Sequence, residues 1–416
     1  MEKLAMHGGG AASGRLLGYG RQTIDEDDVA AVADVLRSDF LTCGPATERF
    51  ERAVAEAAGA RYATAVANGT AALHVACLAA GIGPGDEVVV SPITFAASAN
   101  CVLYCGGTPV FADIDSRTWN VSPESIRERI NEKTKAVIAV DFGGVHVDSD
   151  EIRKICDEFD LLFIEDAAHS IGTVHGGKPV GSIADMTTFS FHPVKTVTAG
   201  EGGAVATSDP ELARRVDLFA KHGITRDPSL MGRADVGGWY YEQIELGYNY
   251  RISDIEAALG ASQLRRLPEF SRRRRQLTAY YDREFAAIPE VASQLDPAPE
   301  DTTRHLYVLR FDLEALGVSR RFVFDALRAE NIGVNVHYLP VYRLPYYAGL
   351  GYDPECCPEA NRYYEEAVTL PLHCGLSDED ADKLKERVTR HIDKGCTVKH
   401  TYVQETPVRM NVTVKH

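Results

Sequence analysis

The residues best placed for covalent chemistry lie in Ser190-Phe191-His192-Pro193-Val194-Lys195, with the glycine loop Gly200-Glu201-Gly202-Gly203 behind them. Lys195 belongs to no charge run. Its neighbours Val194, Thr196 and Val197 are poor company for a solvated cation. A desolvated lysine has a lowered pKa and becomes a nucleophile able to form a Schiff base with a carbonyl. Alone, a lysine in a strand-to-loop turn reads as a surface residue, so the rest of the chain must decide.

Asn68-Gly69-Thr70 falls between a strand pattern and a helix pattern. Backbone N–H groups and a helix N-terminus there suit a phosphate, and Ser190 offers a hydroxyl to the same group. Asp166 follows the apolar run Leu161-Leu162-Phe163-Ile164, at the carboxyl end of a buried strand. A carboxylate there is costly unless paired. A protonated aromatic nitrogen would pair it and form an electron sink, although Asp166 reads equally as a helix cap. His169 lies three residues on and is able to bond a ring substituent. Phe95 follows a Pro-Ile-Thr turn and is placed to stack on a planar ring. Both residue types are more often structural. The order of glycine/threonine turn, aromatic, strand-end Asp and lysine is that of parts in a pyridoxal-phosphate enzyme.

Such residues need a scaffold, and the periodicities supply one. Thr23-Ile24-Asp25-Glu26 reads as a capping box ahead of an amphipathic helix. A second helix, 46–58, ends at Gly59. Strands then alternate with helices: strands at 62–66, 87–90, 110–112, 136–140, 161–164, 186–191 and 204–207, helices at 70–80, 95–104, 123–131, 150–159 and 211–221. That alternation predicts a mostly parallel, doubly wound α/β sheet with ligands at its carboxyl edge. Ser253-Asp254-Ile255-Glu256 caps another helix, and Pro268 opens a long one to about Ile288. Its Arg272–Arg275 run reads as a solvated face. Beyond it, strands 305–313 and 333–338 and helices 320–330 and 377–391 predict a smaller C-terminal α+β domain. The expected division is a flexible segment 1–18 (1–14 Gly/Ala-rich), a large α/β domain 19–267, a small domain 268–395 and a tail 396–416.

The totals narrow the class. The chain has 416 residues, 45% hydrophobic and 25% charged, enough for a large core. A net charge of −16 favours neither nucleic acid nor an anionic membrane, so an anionic ligand must be held by local devices. Nine scattered cysteines show no metal-ligand spacing and read as reduced thiols of a cytoplasmic protein. No metal, signal peptide or membrane span is expected. Asn411-Val412-Thr413 reads as a chance sequon.

Taken together, Asn-Gly-Thr-Ala-Ala-Leu-His (68–74), Pro-Ile-Thr-Phe-Ala-Ala-Ser-Ala-Asn (92–100), Glu-Asp-Ala-Ala-His-Ser (165–170), Ser-Phe-His-Pro-Val-Lys (190–195), Gly-Glu-Gly-Gly (200–203) and Gly-Tyr-Asn-Tyr-Arg (247–251) resemble the DegT/StrS-type nucleotide-sugar aminotransferases, a branch of the aspartate-aminotransferase fold (PLP fold type I). The resemblance covers about residues 19 to 392. Finer features are similar to the pseudaminic-acid branch: Tyr19-Gly20-Arg21-Gln22, Phe40-Leu41-Thr42, the 222–227 run, Trp239-Tyr240-Tyr241-Glu242 and Val336-His337-Tyr338.

The resemblance implies pyridoxal 5'-phosphate, with pyridoxamine phosphate as intermediate, and transfer of glutamate's amino group to C4 of a UDP-4-keto-6-deoxy sugar. It implies that Lys195 carries the cofactor and moves protons, Asp166 holds the pyridinium, and His169 lies near the phenolic oxygen. Phe95 would cover the ring; Gly69, Thr70 and Ser190 would take the phosphate. Asn249 would reach it from a second subunit, making a homodimer with shared sites. Tyr19, Asp39, Phe40, Leu41, Thr42, Asn249, Asn335, Val336, His337 and Tyr338 would line the sugar-nucleotide site. Arg226 and Arg251 are candidates for the diphosphate. The rivals are another 4-keto sugar of perosamine, legionaminate or aminoarabinose type, a sugar dehydratase, and a non-catalytic binding module. Lys195 speaks against the dehydratase, and the Asp166/Lys195 pair against the binding module.

Overall fold

The computed structural model describes residues 3–398 except residue 234, with side chains described as far as Ile392. Seven strands form the central sheet: β1 (Tyr62–Val66), β2 (Glu87–Val90), β3 (Thr108–Phe111), β4 (Thr134–Val140), β5 (Leu162–Asp166), β6 (Met186–Ser190) and β7 (Gly203–Thr207). Their order is β1-β7-β6-β5-β4-β2-β3. The pairs from β6 through β5, β4 and β2 to β3 are parallel, while β7 runs antiparallel to both neighbours.

Burial explains the strand sequences. β4 alternates between two cores: Ala136 and Ile138 face one, Val137 and Ala139 the other. Successive strand residues point to opposite faces, so both faces must be apolar when helices cover both. β5 does the same, with Ile164 in the first core and Phe163 in the second. Hence Asp166 shares the face of Ile164, and Glu165 the face of Phe163. The carboxyl ends of β2, β4, β5 and β6 meet at one edge, where an open α/β sheet presents its ligand site.

The long helix Leu267–Phe285 leads from this sheet to a second, antiparallel one of β8 (Val291–Ser293), β9 (Tyr307–Phe311) and β10 (Ala367–Leu370). A separate core that includes Leu277, Tyr307, Leu327 and Leu384 lies beneath it.

Four expectations are corrected. The 1–18 segment, read as flexible, packs for its described part against the second sheet's helices. Leu4 and Leu17 are buried, and the N–H groups of Ala5 and Ala12 donate to the Glu330 carboxylate at 2.9 and 3.0 Å. Leu17-Gly18 also pairs in parallel with Ile332-Gly333. Glu330 is itself buried and needs donors, a demand that the segment's composition does not reveal. Second, the first helix (Glu26–Leu36) is capped by Asp25 with Asp28, not by Thr23 with Glu26. Third, of the expected 333–338 strand only Gly333 is in a strand, the two-residue Ile332–Gly333; residues 335–338 line the cavity, with Asn335 bridged to Thr369. Fourth, the long helix stops at Phe285, short of Ile288. The Ser253 capping box with Glu256 is present. The last helix, Asp378–Val398, reaches into the expected tail; the remainder of that tail, with the Asn411 sequon, lies outside the described residues. The described cysteines are free thiols.

Candidate functional site

A cavity of about 1130 Å³ opens at the carboxyl edge of the sheet and is closed on one side by the 305–306 and 335–339 segments. Lys195 and Asp166 both line it. Lys195 sits on the turn after β6, where its N–H donates to His192 O at 2.9 Å. Burial pushes its ammonium pKa down to about 8, against the pull of the Asp166 carboxylate. Burial pushes Asp166 upward. Ser98 Oγ (2.6 Å), the Ala168 N–H (3.2 Å) and the Lys195 charge draw it back. The site thus holds a lysine whose pKa is lowered to about 8, together with a carboxylate to which, among the described residues, no cation is directly bound.

His169 also lines the cavity. Its Nδ1 accepts the Gly143 N–H at 3.3 Å, which leaves the proton on Nε2. Burial, then Lys195 and His337, hold its pKa well below the ordinary value, so the ring is neutral. His337 is pushed down to about 4 by burial and by Lys195. It lies between Thr369 Oγ1 (2.8 Å) and Asn335 Nδ2 (3.3 Å), with the Tyr19 ring 5.1 Å away.

The phosphate-sized end is built by the helix Gly69–Ala79. Asn68 caps it by accepting the Ala71 N–H at 2.9 Å, so the N–H groups of Gly69 and Thr70 precede the first intrahelical bond. A Cβ at Gly69 would stand 2.9 Å from Ser190 Cβ, so only glycine lets the helix end approach Ser190. Phe95, 78% exposed, flanks the opening.

Tyr19, Gly69, Thr70, Phe95, Asp166 and His169 therefore share one cavity with Ser190, Lys195 and the run Asn335-Val336-His337-Tyr338. Asp39, Phe40, Leu41, Thr42 and Asn249 do not line it. The 39–42 loop is strapped to the start of the helix Asp254–Arg265 through the Asp254 N–H to Leu41 O (2.9 Å), and is exposed. Asn249 is exposed and bridges by its backbone to Lys221. Neither Arg226 nor Arg251 lines the cavity; Arg226 rests over the Tyr241 ring.

Sequence reasoning missed Ser98, Tyr250 and His305. Ser98 lies one helical turn beyond Phe95 inside a motif that was read only for its aromatic. Tyr250 was passed over inside the Gly-Tyr-Asn-Tyr-Arg run; its hydroxyl meets His74 Nδ1 at 3.1 Å. His305 is buried with its ring 4.6 Å from His169, and its N–H donates to Gly143 O at 2.8 Å. Its signal was faint: a polar residue opening an apolar strand.

The residues present fit pyridoxal phosphate. A lysine of lowered pKa, a buried acid, a neutral imidazole N–H and a glycine-narrowed helix end surround one space. Residues 22–389 match the model of the DegT/DnrJ/EryC1/StrS aminotransferase family. The chain is 40% identical over 384 residues, 91% of its length and 97% of the relative's, to the spore coat polysaccharide biosynthesis protein SpsC of Bacillus subtilis. It superposes on PseC of Helicobacter pylori, an aminotransferase in pseudaminic acid biosynthesis, with a TM-score of 0.84 at 30% identity, over 91% of this chain and 100% of that one. The sugar aminotransferase Spr1654 of Streptococcus pneumoniae, solved in its pyridoxamine form, gives 0.84 at 31% identity over 92% and 100%. By its match and its neighbours the protein is a pyridoxal-phosphate-dependent sugar aminotransferase, and the chain belongs to the DegT/DnrJ/EryC1/StrS family.

Proposed function

We propose that the protein transfers the amino group of glutamate to C4 of a UDP-linked 4-keto-6-deoxy-N-acetyl-hexosamine, a precursor of pseudaminic acid, and works as a cytoplasmic homodimer. The observation that carries the chemistry is the shared cavity of Lys195 and Asp166. The likeness to PseC and the finer motifs support the substrate.

When bound, pyridoxal phosphate supplies the electron sink that makes an amino acid's Cα proton removable. Lys195 Nζ, largely neutral above about pH 8, takes that proton and later returns one to the sugar's C4. Asp166, held by Ser98, would hold the protonated ring nitrogen. The Nε2–H of His169 would serve the phenolic oxygen, and Phe95 would shield the ring face. The N–H groups of Gly69 and Thr70, with the Ser190 hydroxyl, would bind the phosphate. Tyr19 and residues 335–338 bound the side where the sugar enters.

Within one chain Lys195 is the sole lysine or arginine among the cavity's lining residues. A second copy bringing Asn249 to the phosphate accounts for that residue's exposure. Trp239 (76% exposed) and Leu246 (78%), on the segment leading to it, suit an interface.

Purified enzyme given glutamate and a panel of UDP-, dTDP- and GDP-linked 4-keto sugars, with 2-oxoglutarate followed, should turn over the UDP-N-acetyl sugar best. Faster turnover of a dTDP- or GDP-sugar would move the assignment to another 4-keto sugar. Mixed dimers of Lys195→Ala and Asn249→Ala chains should regain activity that neither parent has; no recovery would count against a shared site.

A further inference from the structure

Behind Asp166, on the opposite face of β5, lies a second group of charges that the reaction does not touch. Asp141 directly follows β4 and Glu165 precedes Asp166; both are fully buried. His146 joins them, and ligating atoms of the three lie within 4.8 Å of one another. Asp141 Oδ1 accepts the Val147 N–H (2.9 Å) and Oδ2 the Ser170 hydroxyl (2.5 Å). Glu165 Oε2 accepts from Thr187 (3.1 Å), and Oε1 faces His146 Nε2 (3.1 Å). His146 Nδ1 meets Val147 O at 2.5 Å.

Both imidazole nitrogens therefore face acceptors, which is the arrangement of an imidazolium. The same fact argues against a metal ion, since neither nitrogen is left with a lone pair toward the carboxylates and both Asp141 oxygens already have donors. The remaining neighbour is His175, stacked on His146 at 4.6 Å and paired outward with Asp150 at 3.3 Å. Burial opposes a charge on His146, but Asp141 and Glu165 outweigh it and push its pKa to about 10. Asp141 is pushed up to about 7 by burial and by the Glu165 charge.

We propose that His146 is a positioning residue for the cofactor: by offsetting the charge of Glu165 and Asp141 behind β5, it keeps Asp166 a carboxylate able to hold the pyridinium. Glu165 and Asp166 are consecutive, and only the strand separates their side chains. In so dry a setting an uncompensated Glu165 charge favours a proton on Asp166. The Asp141 N–H also donates to Asp166 O (3.2 Å), so both strand ends are tied to the same group.

The test uses the whole protein and reads the dissociation constant of pyridoxal phosphate across pH, not activity. His146→Gln should weaken binding about tenfold, and the pH below which affinity falls away should rise by about one unit. The double variant His146→Gln/Glu165→Gln should recover most of the affinity, and Glu165→Gln alone should bind at least as well as the parent. Should His146→Gln not fold, the Glu165→Gln and double variants carry the decision. Several outcomes would overturn the proposal: a double variant as weak as the single or weaker, an unchanged single variant, a weakened Glu165→Gln, or a stoichiometric metal in the purified protein that is lost with His146. Failure of the parent to bind pyridoxal phosphate would instead strike at the enzyme assignment itself.

Discussion

The two faces of β5 carry neighbouring acids under opposite arrangements. Glu165 looks backward into a closed group, where a hydroxyl and an imidazole answer its oxygens at 3.1 Å each. Asp166 looks forward into the cavity, where one hydroxyl and one N–H are its partners and no cation among the described residues is bound directly to it. A buried carboxylate is expensive in either place. The rear face settles that cost inside the protein, and in the function proposed above the front face leaves it to be met by the cofactor. On that reading the difference separates a charge that holds the fold from one that holds a ligand.

The comparison breaks most sharply at the front. Lys195→Ala should lower turnover by at least on the order of 10⁴-fold, because it removes the nucleophile and the proton carrier together. Its fold should survive, as shown by an unchanged far-UV spectrum. Borohydride treatment should then fix no cofactor on the chain. If the cofactor is still fixed, another amine is the attachment point.

Ser98→Ala should come next. Ser98 is buried, and its hydroxyl is the shortest contact to Asp166 at 2.6 Å. Losing a bond to a buried charge costs about 1.5–3 kcal/mol, or about 10- to 100-fold in cofactor affinity. The change should appear in the dissociation constant of pyridoxal phosphate and hardly in thermal stability without cofactor. An equal loss of stability in the cofactor-free protein would make Ser98 a core residue and not a front-face one.

Ser98 also marks where the sequence stops being legible. Lys195, Asp166 and Gly69 were readable because each breaks a local pattern: a lone cation, an acid ending an apolar run, a glycine between strand and helix. The strands were readable for the related reason that two-sided burial demands unbroken apolar runs, as in residues 136–140 of β4. Ser98 breaks nothing, since a serine in a short helix is ordinary, and only the approach of that helix to β5 gives it a role. His305 and Glu330 were hidden likewise. Their partners Gly143, Ala5 and Ala12 lie far off in sequence, and each bond runs to backbone, which carries no residue signature. Asp39–Thr42 show the converse, side chains read as cavity lining that the loop's backbone bond at Leu41 keeps outside.

The smallest expected effect concerns the pH response of the two faces. With the Lys195 ammonium at about 8, capture of pyridoxal phosphate by cofactor-free protein should quicken from pH 7 to 9 and level off above that, as the neutral amine fills. The sign follows from the lowered pKa: below it the folded protein must hold a buried ammonium, and above it the amine is free to attack. His146, at about 10, stays charged throughout this range, so any step from the rear face should come from Asp141 alone, near pH 7 at the foot of the profile. Stopped-flow growth of the yellow absorbance at each pH reads the profile directly. A midpoint near the 10.5 of an ordinary lysine would mean that Lys195 is solvated, and the distinction between a front face kept ready for a ligand and a rear face closed on itself would fail.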